Sequence, residues 1–221
     1  MKCKYCDIKY NNADIVHCHE AACISNPANV GKSPEELCRQ AQVFRFRPER
    51  SAHHSGSERK QNFIRIVKRA ITIQGSALTI GCANTEEIVM LKESGFNEVI
   101  GIDLCPNFDG IIKMDMHDLK YGVNRFDFIL LSHSLEHAFL WEKVIFECGR
   151  VLKPGGYIAI EVPVNYRAND VDRIDFVTGE KLVKQINEVI KIERVYVKDI
   201  AHGEKNNFCA TDISRVIVRV L

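Results

Sequence analysis

The sequence predicts an α/β fold with a largely parallel sheet, on three observations: short apolar runs recur at strand–helix–strand spacing, a glycine turn closes the first of them, and an acid ends the second. The stretch Ser76 to Leu104, SALTIGCANTEEIVMLKESGFNEVIGIDL, holds all three. Ala77 to Ile80 is too short for a helix and is stopped by Gly81, so it reads as a buried parallel strand. Gly81-Cys82-Ala83-Asn84 brings small residues to a point where the backbone must pass close to a ligand. Thr85 is the expected cap of the next helix, with Glu86 and Glu87 in its first turn, Ile88, Val89 and Leu91 as its inward stripe, and Gly95 as its stop. Val99 to Ile102 is the next strand, and Asp103 stands at its carboxyl end, 22 residues after Gly81. There a carboxylate overlooks the crevice of an open sheet and can accept hydrogen bonds from two ribose hydroxyls.

From the amino terminus, Cys3-x2-Cys6-x12-His19-x3-Cys23 has the ligand spacing of a small zinc finger whose last histidine is replaced by cysteine. Tyr10 and Val16 stand where such a finger places its miniature core, and a tetrahedral metal would supply the stability so short a segment lacks. His17 and Cys18 compete with His19 as ligands. Ser33-Pro34-Glu35-Glu36 is a capping-box helix start, with the helix running to about Val43. Phe44-Arg45-Phe46-Arg47-Pro48 alternates aromatic and basic residues, the pattern of an arm, an edge strand or a stacking surface for bases. SAHHSGS (51 to 57) reads as a loop, and Phe63, Ile64, Val67 and Ile71 form the stripe of a basic helix from about Glu58 to Ile73.

Beyond Asp103 come a loop with Pro106, a third strand from Ile111 to Met114, and a fourth from Phe126 to Leu131. Ser132-His133-Ser134 leaves the fourth strand, and Glu136 and His137 are expected in the first turn of the helix that follows. Lys153-Pro154-Gly155-Gly156 is a turn into the fifth strand, Tyr157 to Val162. A loop from Pro163 to Asp175 offers Asn165, Tyr166, Arg167 and Asp170 to a substrate. A helix near Gly179 to Ile190 and two strands, Ile192 to Ile200 and Ile213 to Leu221, complete the chain, the strands pairing antiparallel because their connection is short. The fold expected is therefore a Rossmann-like, seven-stranded sheet, mostly parallel with an antiparallel last strand, plus a small zinc-finger module. The chain divides at 1–30, 31–73 and 74–221.

Composition narrows the partners. No 18-residue apolar run exists and the start lacks a signal-peptide core, which favours a soluble cytoplasmic protein with no membrane partner. Nine cysteines in that setting fit reduced thiols and a metal better than disulfides. Residues 1 to 70 hold 13 Lys/Arg against 7 Asp/Glu, whereas the remainder is net acidic, so a nucleic acid or a protein is expected to meet the front of the chain.

From Ser76 onward the chain resembles the class I S-adenosylmethionine-dependent methyltransferases, and within them the type 11 group. The resemblance extends through MDMHDL (114 to 119), FDFILLSHSLEHAF (126 to 139) and RVLKPGGYIAIEVP (150 to 163). It implies S-adenosylmethionine as cofactor, held at Gly81, Cys82, Ala83, Asp103, Leu104, Asp115, Met116 and Ser132, with Asp115 receiving the adenine amino group and Met116 lying against the ring. It implies a methyl acceptor offering oxygen or nitrogen, with His133 and His137 as candidates for moving its proton. Two departures stand out: Thr79 replaces the usual acid before the turn, and Ala83 and Thr85 replace glycines. These leave room for a rival, a non-catalytic nucleic-acid- or protein-binding chain with a degenerate methyltransferase scaffold.

Overall fold

The computed structural model describes residues 2–6, 20–21, 23, 25–45, 57–72, 74–169, 172–204 and 211–221. In chain order these form α1 (Pro34–Arg45), α2 (Ser57–Ala70), β1 (Ser76–Ile80), α3 (Glu86–Ser94), β2 (Glu98–Asp103), β3 (Ile111–Lys113) and β4 (Phe126–Ser132). There follow α4 (Trp141–Val151), β5 (Leu152–Val164), α5 (Gly179–Val189), β6 (Ile192–Ile200) and β7 (Asp212–Val220). His17, Cys18, His19, Tyr10, Val16 and Asp170 lie outside the described residues.

β1 is buried at every position, as a strand covered on both faces must be. It pairs in parallel with β2 on one side and β4 on the other. The seven strands run in the order β3-β2-β1-β4-β5-β7-β6, with β1 to β5 parallel and β7 antiparallel to both its neighbours. Each face of the sheet has its own core. On one, Phe63, Ile64 and Val67 of α2 and Ile88 and Leu91 of α3 pack over Ala77, Phe128, Leu130 and Ala159. On the other, Val144, Ile145 and Cys148 of α4 and Leu182 and Ile186 of α5 pack over Leu78, Ile129, Leu131 and Ile160. No helix among the described residues is long and apolar enough to cross a membrane.

Local chemistry explains most element ends. The Ser33 hydroxyl accepts from the Glu36 amide at 3.2 Å while the Glu36 carboxylate accepts from the Ser33 amide at 2.6 Å, the reciprocal capping box. Gly95 ends α3 in the left-handed region. Four expectations shift. Thr85 stands at the N-cap of α3 as expected but makes no side-chain cap bond; Asn84 Oδ1 accepts from the Glu86 amide instead, at 3.0 Å. Val89 is 47% exposed while Glu87 is buried, because the helix turns its acidic position inward toward a partner described below. Glu136 and His137 occupy a separate 3-10 turn, Leu135–His137, and α4 begins only at Trp141. Finally, β5 already starts at Leu152, and its register on β4 jumps from Phe126↔Leu152 to Phe128↔Tyr157, so Lys153 to Gly156 form a bulge within a strand. The arm expected at Phe44-Arg45 is the last turn of α1, and residues 46–48 lie outside the described set.

Gly101 of β2 lies directly under Ile88 of α3. A methyl group there would stand 2.5 Å from Ile88 Cδ1 and 2.7 Å from Cys82 Sγ. Gly101→Ala is expected to cost about 1–3 kcal/mol through overpacking, read as a lower midpoint in denaturant unfolding. An unchanged midpoint would show that α3 can lift off the sheet without penalty.

Candidate functional site

Chain connections leave β1 and β4 in opposite directions, toward β2 and toward β5, so a crevice opens between the carboxyl ends of these two strands. Gly81 turns at its rim with φ of +76°, and a Cβ there would lie 2.5 Å from that of Ser134, so both backbone angle and space demand glycine. The Gly81 and Cys82 amides both donate to the Ile102 carbonyl, at 2.8 and 3.3 Å, clamping the turn to β2. The Cys82 side chain points into the core, and burial pushes its thiol well up, so this residue contributes shape and not a nucleophile. Ala83 and Leu104 are half-buried beside the turn and beside Asp103.

Asp103 occupies the end of β2 as expected. Its Oδ1 accepts from the Cys105 amide at 2.7 Å, which fixes the carboxylate's orientation. Burial pushes this carboxyl up, opposed by that hydrogen bond and by the charge of His137. Asp115 is held from two sides. His117 reaches its Oδ1 with the backbone amide at 2.9 Å and with Nδ1 at 2.7 Å, and Arg39 Nε donates to Oδ2 at 2.7 Å. His117 Nε2 accepts from the Phe139 amide at 3.1 Å, which places the ring proton on Nδ1, facing Asp115. Burial alone would raise the Asp115 carboxyl, but the His117 and Arg39 contacts outweigh it and hold the group well below the usual carboxylate range. Met116 packs at the margin of the core face that α4 covers.

At the other wall, Ser132 is buried and its hydroxyl accepts from Arg59 Nη1 at 3.2 Å. Arg59, from the first turn of α2, also pairs with Glu161 of β5. Glu161 is fully buried; Arg215 Nε of β7 stands 2.5 Å from it and His133 Nε2 3.4 Å. Burial would push the Glu161 carboxyl up, but the hydrogen bond from His133 and the charges of Arg59, His133 and Arg215 prevail and bring it down to about 2. His133 is held with φ of +53°, a conformation that costs a non-glycine residue about 1–3 kcal/mol. Its Nδ1 lies 3.6 Å from Glu136, a buried carboxylate whose second oxygen has no partner among the described residues. His137 Nδ1 stands 3.2 Å from Asp172 in the loop after β5. Asn165 and Tyr166 of that loop are engaged internally: Asn165 Nδ2 donates to Asp212, its amide to Asp175, and the Tyr166 hydroxyl to the Ile174 carbonyl.

Beneath the glycine turn lies an acid that the strand itself does not carry. The Thr79 hydroxyl donates to Glu87 Oε2 at 2.7 Å, and Lys60 Nζ stands 3.7 Å from Glu87 Oε1 and 3.2 Å from Asn84 Oδ1. At the amino terminus the sulfurs of Cys3, Cys6 and Cys23 lie within 4.8 Å of one another. Tetrahedral zinc–thiolate bonds of about 2.3 Å put sulfurs roughly 3.8 Å apart, so these three fit a metal after a small contraction.

Sequence reasoning missed Glu87, Arg59, Lys60, Arg215, Glu161 and Arg39 as parts of this site. Glu161 carried a readable signal, being the lone charge inside the apolar run Tyr157 to Val164. Arg39 carried none, because its partner is 76 residues away.

Residues 78–160 match a family model described as a methyltransferase domain. Among curated proteins nothing matches. Of solved structures, the 1,6-didemethyltoxoflavin-N1-methyltransferase of Burkholderia thailandensis, with bound 1,6-didemethyltoxoflavin and S-adenosylhomocysteine, is 16% identical with a TM-score of 0.60, over 73% of this chain and 78% of that one. A SAM-dependent methyltransferase from Aquifex aeolicus is 17% identical with a TM-score of 0.57, over 79% of this chain and 98% of that one. The [4+2]-cyclase SpnF is 15% identical with a TM-score of 0.59, over 72% and 80%. At these identities the likeness is one of fold, the methyltransferase-type α/β sheet.

Glu161 supplies a pH test. Its folded carboxyl is brought down to about 2 from the usual 4.5, so its stabilisation is complete above pH 4.5 and lost as pH falls toward 2. The unfolding free-energy difference between the native chain and Glu161→Gln should shrink over that window and stay flat above it. A difference that does not change between pH 6 and the acid limit would disprove the ion-pair assignment.

Proposed function

We propose that the chain transfers a methyl group from S-adenosylmethionine to an oxygen or nitrogen of an acceptor held by the loops after β4 and β5. The observation that carries this reading is Asp103: a carboxylate oriented by the Cys105 amide at the crevice where β1 and β4 part, inside the segment that matches a methyltransferase domain. Bound S-adenosylhomocysteine in the Burkholderia enzyme of the same fold supports it.

When bound, the cofactor supplies a sulfonium methyl that is intrinsically electrophilic. In this reading Asp103 accepts from the ribose hydroxyls and Asp115 from the adenine amino group, with Met116 against the ring. Gly81, Cys82 and Ala83 give the turn its close approach, while Arg59 and Lys60, from the first turn of α2, offer cations to the carboxylate of the methionine end. Rate then depends on in-line placement of the acceptor. His137 is the group suited to take the acceptor's proton, since Asp172 on Nδ1 makes Nε2 the basic nitrogen. His133, with a carboxylate near each ring nitrogen, braces the wall instead. The same proposal gives Cys3, Cys6 and Cys23 to zinc, with His19 the sequence candidate for fourth ligand. It leaves the basic front to a nucleic acid or protein partner.

Calorimetry with S-adenosylhomocysteine tests the cofactor site. Asp103→Ala should weaken binding about 10- to 100-fold, the worth of hydrogen bonds to a charged group; equal affinity in the variant would sink the assignment. Elemental analysis of gently purified protein should give close to one zinc per chain, and Cys3→Ser/Cys6→Ser should carry almost none. Zinc well below half an equivalent in the native chain would count against the finger.

A further inference from the structure

We propose that zinc at the Cys3/Cys6/Cys23 cluster positions Arg39 on Asp115, so that metal occupancy sets cofactor affinity at a carboxylate 92 residues beyond Cys23. The inference rests on the cofactor reading above and adds to it a positioning residue and the module that delivers it.

A continuous set of contacts joins the two sites. The Cys23 carbonyl accepts from the Asn29 side-chain amide at 3.0 Å, and the same nitrogen donates to the Ala21 carbonyl at 2.9 Å. Asn29 is itself buried, and its Oδ1 accepts from Gln40 Nε2 at 3.1 Å and from Lys32 Nζ at 2.9 Å. Gln40 also donates to the Ala21 carbonyl and accepts from Lys32 Nζ at 2.7 Å. Gln40 therefore bolts α1 to the cysteine loop from inside the helix. The next residue back, Arg39, reaches Asp115 at 2.7 Å, and two residues on, Gln42 Nε2 reaches the His137 carbonyl at 3.4 Å.

α1 has 12 residues, a length at which an isolated helix is marginal in water. Its placement over the crevice consequently depends on what grips it. The cysteine loop grips one side, and that loop has too little core to hold its own shape without a metal. Arg39 matters at the far end because its guanidinium, on the oxygen that His117 does not hold, fixes the orientation of Asp115 and leaves the carboxylate's remaining lone pairs to accept from a ligand amine. Loss of metal frees the loop, α1 loses Gln40's anchor, and Arg39 leaves Asp115 to His117 alone.

The experiment titrates S-adenosylhomocysteine into full-length chain, zinc-loaded and chelator-stripped, and into the same pair of states of Arg39→Ala. Stripping should weaken binding about tenfold in the native chain, within the usual range of site-to-site coupling, and less than about twofold in Arg39→Ala, since a contact already removed is not lost again. Gln40→Ala, which keeps all the cysteines, should retain zinc yet bind with the weakened affinity. Unchanged affinity on stripping, an equal loss in both chains, or full affinity in zinc-bearing Gln40→Ala would each overturn the inference while leaving the cofactor site intact. A zinc-loaded, folded chain that binds no S-adenosylhomocysteine at all would overturn the cofactor reading and this inference together.

Discussion

A carboxylate with no access to water, Glu161, fixes the wall of the crevice. Removing such a charge from water costs several kcal/mol unless cations and hydrogen bonds replace the solvent. Here the replacements come from three different elements: Arg59 from α2, His133 from the end of β4 and Arg215 from β7. Each element must arrive at the correct height for the charge to be met. β7 can do so only by lying next to β5, where the register sets Arg215 opposite Glu161. The antiparallel insertion of β7 between β5 and β6 thus serves the site as well as the sheet. α2 is held likewise, with Phe63 beneath the Arg215 guanidinium and Arg59 over Ser132.

Another buried acid, Glu87, makes the departure at Thr79 intelligible. A carboxylate under the glycine turn can be supplied by β1 itself or by the helix that follows the turn. In this chain α3 supplies it, and Thr79 is the hydroxyl that holds it in place. Lys60, one residue after Arg59, faces this charge, so the first turn of α2 brings a cation to Glu161 and another to Glu87. Burial still pushes Glu87 upward, opposed by the charge of Lys60 at 3.7 Å and by the hydrogen bond from Thr79.

The sheet was legible because burial on both faces writes itself as continuous apolar runs, and because Gly81, Gly95 and the Ser33–Glu36 box are local signals with local causes. Asp103 was legible through spacing alone: a strand, a turn and a helix take up a nearly fixed length of chain. The interior of the site was not. Whether Val89 or Glu87 faces inward differs by about half a helical turn, and the deciding partner, Thr79, lies on another element. Thr85 holds the N-cap position, but the side-chain bond comes from Asn84, whose oxygen two residues before the Glu86 amide reaches it without help from the helix backbone. The 3-10 turn at Leu135–His137 arises where His133 already turns left-handed, a constraint imposed by Glu161 across the sheet and invisible in SHSLEH itself.

A cyclase and methyltransferases share this fold at similar TM-scores, so the sheet by itself does not choose a reaction. What can choose is the disposition of charge along the crevice. One wall carries two carboxylates, Asp103 and Asp115, each oriented by backbone amides close in sequence. Its opposite wall carries cations already committed to Glu161 and Glu87, which bind those acids in the absence of ligand and so cost little to hold in place when one arrives. Between the two walls stands His137, paired to an acid on a different loop. In the proposed reading a zwitterion lies lengthwise in such a site, its nucleoside toward the carboxylates and its amino acid toward the cations. The acid beneath the turn is delivered by α3, and Arg39 of α1 meets Asp115 at the far end.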